Sequence, residues 1–234
     1  MPLLKNVVVV IISGHTFAGK SHLLRKLRSC VAFAESPMVE MDRIRQRVWG
    51  GIRLTREEHR YKNELARREL EQMIILEHPP FILAELGMPT RDHHQKPLVE
   101  MVTRATRTLA IISEEKSNSE NNVAEDFRVH LRVVQLYCDV ETIHRHLRYR
   151  LQSDDQTGTH VFDLNGMAQD LSVCEVPIDY QPLILDTSDQ TKEAQRWLET
   201  NNFLTLGELP SDNPERRERY RVCLENNIRQ LRTQ

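Results

Sequence analysis

Eight consecutive residues, Gly14-His15-Thr16-Phe17-Ala18-Gly19-Lys20-Ser21, satisfy every specified position of the pattern G-x-x-x-x-G-K-[ST]. Residues of these types at this spacing build a receptor for phosphate. Consecutive backbone N–H groups in the loop, with the open N-terminus of the following helix, enclose phosphate oxygens. Lys20 adds a point charge for the outer phosphates, and the Ser21 hydroxyl is a ligand for Mg2+. The pattern needs a strand before it and a helix after it. Val7-Val8-Val9-Val10-Ile11-Ile12 is an apolar, largely β-branched run, and Leu23, Leu24, Leu27 and Val31 recur at helical spacing. A nucleoside triphosphate site running from Gly14 through His22 is therefore expected.

Three further positions could do chemistry beside it. Asp42 follows a short apolar stretch that reads as the second strand, and ligands of open parallel sheets bind beyond the carboxyl ends of strands. There it would accept the proton of an acceptor hydroxyl, with Arg45 one turn later clamping an anionic part of the acceptor. The alternative is a helix cap with Arg45 in solvent. Glu85 ends the otherwise apolar strand FILAEL, where a lone carboxylate is costly unless a cation meets it. That cation is either Mg2+ or, in a purely structural role, Arg91 or Lys20. The basic helix His144-Arg145-His146-Leu147-Arg148-Tyr149-Arg150 leads into the polar loop Ser153–His160, a candidate lid, and places Arg148 and Arg150 last before it. An arginine closing over phosphates offsets charge developing in phosphoryl transfer. His93-His94 and the pair His144 and His146 diverge on their helices and form no zinc site.

The elements that must position these residues alternate between strand and helix, which points to a parallel sheet covered on both faces. Strands are expected at Met38–Met41, Phe81–Leu86, Leu131–Cys138 and Pro182–Asp186. The T-x-x-E capping box Thr55–Glu58 opens a long helix whose stripe is Tyr61, Leu65, Ala66, Leu70, Met73 and Ile74. A helix over His94–Leu109 closes at Ile111-Ile112, and Ser113–Asp126 reads as a mobile loop. Val140, Ile143, Leu147 and Leu151 form another stripe, and Thr191–Thr200 the last helix of the domain. Pro214–Leu231 is a charged helix with Tyr220, Leu224, Ile228 and Leu231 on one face, docked on the domain or offered to a partner.

With 234 residues the chain has room for one large α/β domain, here residues 1–205 with a lid at about 148–175, followed by a helical tail at 206–234. A net charge of −2 argues against a protein that coats nucleic acid. Cys30, Cys138, Cys174 and Cys223 are far apart with no C-x-x-C pair, which suggests reduced thiols in a cytoplasmic protein. The N-terminal apolar run is too short for a membrane span or a signal sequence.

In order along the chain, GHTFAGKS, MDRIRQRVWG, FILAELGMPTRDHH, LYCDVETIHRHLRYR and LILDTS resemble the small P-loop kinases grouped with gluconate kinase, zeta toxins and the kinase domain of polynucleotide kinase. The resemblance covers roughly residues 7–198. It implies a three-layer αβα P-loop NTPase fold and transfer of the γ-phosphoryl of ATP, with Mg2+, to a hydroxyl of a small-molecule or nucleotide-like acceptor. By the same resemblance Asp42 is the base or acceptor ligand, Arg45 its basic companion, Glu85 the acid ending the third strand and Arg91 the arginine after it. Arg150 corresponds to the lid arginine, and Thr187 borders the adenine. The phosphate loop departs from the family in carrying His15, Thr16 and Phe17 between its glycines. Phe17 is expected to narrow or contact the acceptor side. A nucleotide-dependent switch without an acceptor, and a nucleic-acid end kinase using Arg43, Arg45, Arg47 and Arg53, are the other readings.

Overall fold

A computed structural model describes residues 3–30, 33–51, 54–87, 91–120, 125–152, 164–175, 182–188, 192–200 and 213–233, with side chains described for most of them. The Val7–Ile12 run lies within β1 (Leu3–Gly14), the central strand of a five-stranded sheet. The chain continues through α1 (Lys20–Arg28), β2 (Met38–Glu40), α2 (Met41–Trp49) and α3 (Arg56–Gln72). A π-helical turn, Met73–Glu77, extends α3, and β3 (Phe81–Glu85) follows. A second such turn, Arg91–Gln95, leads into α4 (Lys96–Glu120). Then come β4 (Glu125–Tyr137), α5 (Val140–Gln152), α6 (Leu164–Ser172), β5 (Leu183–Asp186), α7 (Glu193–Thr200) and α8 (Pro214–Arg232).

The strand order is β2-β3-β1-β4-β5, and every pairing is parallel. This is the expected α/β class, with the C-terminal helix present. Alternate β1 side chains explain the unbroken apolar run, because both faces of the sheet are covered. Val7, Val9 and Ile11 pack with Ile44, Ala66, Leu70, Leu98, Met101, Ala105 and Leu109 of α2, α3 and α4. Val10 and Ile12 pack on the other face with Leu23, Leu24 and Leu27 of α1 and Trp197 of α7. A third cluster joins Tyr137, Cys138, Ile143, Met167, Leu171 and Ile184 to Tyr220, Leu224 and Leu231 of α8.

Three expectations change. Helix α4 runs to Glu120, eight residues beyond Ile112, so residues 113–120 are helical and not loop. Met101, Ala105, Leu109 and Ser113 are all buried at four-residue steps, so the inner stripe passes through a serine. Strand β4 begins at Glu125 rather than Leu131, drawn out by continuous pairing with β1 from Leu3↔Glu125 to Gly14↔Leu136. Tyr61 is 48% exposed, and the inward position beside it is Lys62. The capping box is present as read: Thr55 accepts from the Glu58 N–H, and the Glu58 carboxylate accepts from the Thr55 N–H.

Helix α8 takes the docked form. Asn213 caps it, Tyr220 is 1% exposed, and Arg216 donates to the Ile184 carbonyl at 3.1 Å while pairing with Glu193. Among the described residues no helix is long and apolar enough to cross a membrane, and the four cysteines are free thiols.

Candidate active site

At the end of β1 the chain leaves the sheet at Gly14, whose φ is +148°. A Cβ there would stand 2.5 Å from the Leu136 carbonyl oxygen of β4, so only glycine fits. The loop turns through Phe17 (φ +69°) and Gly19 (φ +81°) and enters α1. Gly19 is the N-cap of α1 with no side-chain hydrogen bond, and no acidic residue stands in the first turn. A Cβ at Gly19 would meet nothing within 4 Å, so the helix N-terminus opens onto free space. Open N–H groups, a positive helix end and the adjacent Lys20 suit a phosphate group. Lys20 Nζ donates to the His15 carbonyl at 2.9 Å, spanning the loop it would serve.

His15 pins that loop to the sheet. Its Nδ1 donates to the Thr16 carbonyl at 2.7 Å, and its Nε2 accepts from the Cys138 N–H at 3.2 Å. Two backbone partners of opposite kind fix one neutral tautomer. Burial, with smaller opposing and reinforcing influences, lowers its pKa to about 4. Helix α5 is tied to the same loop, His146 Nδ1 donating to the Phe17 carbonyl at 2.8 Å. The Thr187 hydroxyl lies 3.0 Å from the Ala18 carbonyl and 2.9 Å from that of Tyr137, joining the end of β5 to the loop. The Phe17 ring packs in the cluster of Tyr137, Cys138 and Ile143, on the β4 side of the loop. The ring is thus buried against β4 and α5.

A pH dependence follows. Because the folded pKa of His15 lies below its ordinary value of 6.5, the native state binds fewer protons than the unfolded chain. The associated stability is fully present above pH 6.5 and is lost as pH falls toward about 4. Between pH 7 and pH 5 His15 is expected to account for about 2 kcal/mol of lost stability. Urea unfolding at both pH values should show a smaller loss in His15→Asn than in wild type. His94, also lowered to about 4, keeps the remaining slope. An unchanged slope in the variant would mean that His15 is not buried neutral.

The carboxyl edge of the sheet assembles the other groups. Register places Glu85 level with Ile12 of β1 and with Glu40 of β2. Glu85 is 7% exposed and accepts from the Ser21 hydroxyl at 2.9 Å. Burial raises its pKa, opposed by Lys20 and by the Ser21 hydrogen bond. Ser21 Oγ and the Glu85 carboxylate are hard oxygen donors of the kind Mg2+ takes when phosphates complete its coordination. Asp42 is not the N-cap of α2; Glu40 is, and Asp42 stands in the first turn with its side chain 45% exposed. Arg45 is not in solvent. It is 1% exposed, with Nη2 3.8 Å from the Asp42 carboxylate.

Lys62 of α3 is the residue sequence reasoning missed. It is 8% exposed and feels the charges of Asp42, Arg45, Glu85 and Lys20. Burial lowers its pKa, with Asp42 the largest charge opposing that. The signal was present, since Lys62 precedes Ala66 and Leu70 at four-residue steps on the buried stripe. Beside it on α3, Asn63 and Arg67 line a small open hollow with Leu86, Gly87, His94 and Leu98. His94 Nε2 lies 3.2 Å from Asn63 Nδ2. The side chains of Arg91 and Arg150, and the segment 153–163, lie outside the described residues. Among the described residues no three of His, Cys, Asp or Glu converge on a metal position.

No protein-family model matches the chain, and no curated protein matches it. Solved structures do resemble it. A sugar kinase from Janibacter sp. HTCC2649 matches at 13% identity over 87% of this chain and 95% of that one, with a TM-score of 0.49. Shikimate kinase from Acinetobacter baumannii, in complex with shikimate, matches at 16% identity over 88% and 95%, with a TM-score of 0.46. Shikimate kinase from Bacteroides thetaiotaomicron matches at 17% identity over 82% and 96%, with a TM-score of 0.39.

Proposed function

We propose that the protein is an ATP-dependent phosphotransferase that moves the γ-phosphoryl of ATP to a hydroxyl of a small-molecule acceptor. One observation carries this reading. The phosphate loop and the Ser21–Glu85 pair open on the same edge of the sheet as Asp42, Arg45 and Lys62. A receptor for phosphate alone would not need a second group of charges beyond it.

Lys20 and the N–H groups of the loop would hold the β- and γ-phosphates, while Ser21 and Glu85 would hold Mg2+. Bound there, the ion would supply positive charge against the phosphate oxygens. Asp42 accepts the proton of the acceptor hydroxyl as its oxygen bonds to the γ-phosphorus and the bond to the β-phosphate oxygen breaks, releasing ADP. Arg45, rigid because it is buried, orients the Asp42 carboxylate and the acceptor. Arg91 is assigned to the acceptor, Arg150 to a lid over the phosphates and Thr187 to the adenine border. These are assignments from sequence. A cytoplasmic location is proposed on the same basis.

Lys20→Ala tests the nucleotide half of the reading. Its charged hydrogen bonds to phosphate are worth about 1.5–3 kcal/mol, so Mg-ATP should bind roughly 10–100-fold more weakly. Circular dichroism should show an intact fold, since Lys20 is partly exposed and its described hydrogen bond is to the loop itself. Unchanged affinity by calorimetry in a folded variant would remove the phosphate-loop assignment. Turnover of Mg-ATP against a panel of sugars, hydroxy acids, nucleosides and oligonucleotides then finds the acceptor.

A further inference from the structure

Helix α3 carries a lysine where its pattern calls for an apolar residue. Ala66 and Leu70, one and two turns later, are fully buried, and Lys62 is 8% exposed. Replacing a buried ammonium by a similarly shaped apolar side chain is commonly neutral or stabilising, so a fold has no need of one here. A charge on a largely buried side chain is tolerated most readily when something of opposite sign meets it directly. Lys62 has no such contact: among the described residues it makes neither a hydrogen bond nor an ion pair. What surrounds it is a divided field. Asp42 and Glu85 attract it, while Arg45 and Lys20 repel it. Glu85 is already engaged by the Ser21 hydroxyl, and Asp42 faces Arg45. Glu40, level with Glu85, is paired with Arg43 at 2.7 Å, so among the described residues none of these three carboxylates makes an ion pair with Lys62. Helix α3 packs directly against α2, the helix that carries Asp42, and Asp42 is the carboxylate that acts most strongly on Lys62.

We propose that Lys62 determines acceptor specificity: its ammonium receives an anionic oxygen, a carboxylate or phosphate ester carried by the acceptor alcohol, beside Asp42. The word acceptor rests on the phosphotransferase reading above; the anion preference itself does not. Neutral polyols leave the lysine unsatisfied and are rejected for that reason, since a buried polar group without its partner discriminates strongly.

The test uses the full chain saturated with Mg2+ and a non-hydrolysable ATP analogue, so that the phosphate loop is filled. Calorimetric titration with glycerate, glycerol 3-phosphate and glycerol compares a carboxylate, a phosphate ester and a neutral probe of similar size. At least one charged probe should bind roughly 10-fold or more tightly than glycerol, and which one does so identifies the anion. Lys62→Met should abolish that preference, Lys62→Arg should keep most of it, and neither should change affinity for the ATP analogue. The melting midpoint of Lys62→Met should equal or exceed that of wild type, whereas a structural cation would lower it. Equal binding of all three probes by wild type overturns the proposal. So does a preference retained in Lys62→Met, or a loss of ATP-analogue affinity in its place. Lys62→Gln repeats the comparison if Lys62→Met does not fold, and failure of both to fold makes Lys62 structural. If no acceptor is ever phosphorylated while the Lys62-dependent preference persists, the phosphotransferase reading fails and this one stands.

Discussion

Asparagine in place of Asp42 is expected to slow phosphoryl transfer by roughly 10²–10⁴-fold, the range set by loss of a general base. Shape and most hydrogen-bonding capacity survive the substitution, but the amide cannot take the hydroxyl proton. Mg-ATP affinity should stay within about twofold, because the groups that hold phosphate are Lys20, Ser21 and the loop N–H groups. Stability should fall by only a few tenths of a kcal/mol, as Asp42 is a partly exposed first-turn residue and loses a modest interaction with the helix dipole. Steady-state turnover on the identified acceptor, calorimetry with ATP and urea unfolding separate the three quantities. Wild-type turnover would reduce Asp42 to the helix-terminus role that the sequence also allowed.

Gly14→Ala is expected to destabilise the fold by about 2–4 kcal/mol, or to prevent folding, and to abolish nucleotide binding with it. The new Cβ would lie 2.5 Å from a backbone oxygen in β4, and neither strand can yield without breaking a ladder that runs from Leu3 to Gly14. Gly19→Ala is the control. Its backbone is also left-handed, yet open space surrounds the added carbon, so it should cost only the conformational strain of about 1–2 kcal/mol. Chemical denaturation of both variants would rank them. A Gly19 variant less stable than the Gly14 variant would contradict the close approach of β1 to β4 at this point.

Much of this arrangement was legible in the chain. The loop pattern, its flanking apolar run and the capping box at Thr55 depend on neighbours in sequence, and local rules reach that far. Glu85 was legible too, because a carboxylate ending an apolar strand is conspicuous. Lys62 was hidden by its company. In REEHRYKNELARRELEQ a lysine looks like one more solvated charge, and only the packing of α3 on α2 and β2 brings it within reach of the charges of Asp42 and Glu85. Arg45 in RIRQR was named from its place one turn after Asp42, but its burial was not legible there. The extent of α4 was misjudged because Ser113 is polar, although it occupies the inward position of the stripe. The direction of the Phe17 ring was not legible, because nothing local tells which way a left-handed residue in a loop directs its side chain.

The peptide unit of Cys138 has one further consequence, in time rather than in space. Its N–H donates to His15 in the phosphate loop, and its carbonyl accepts from the buried amide of Asn227 on α8 at 2.8 Å. The two steps span 123 and 89 residues of chain. A ribosome delivers the N-terminal partner first. The nascent chain therefore exposes its phosphate loop long before the strand that braces it, and the strand before the helix that braces the strand. The last contact in this series, from Asn227 to the Cys138 carbonyl, is therefore made only when α8 has emerged.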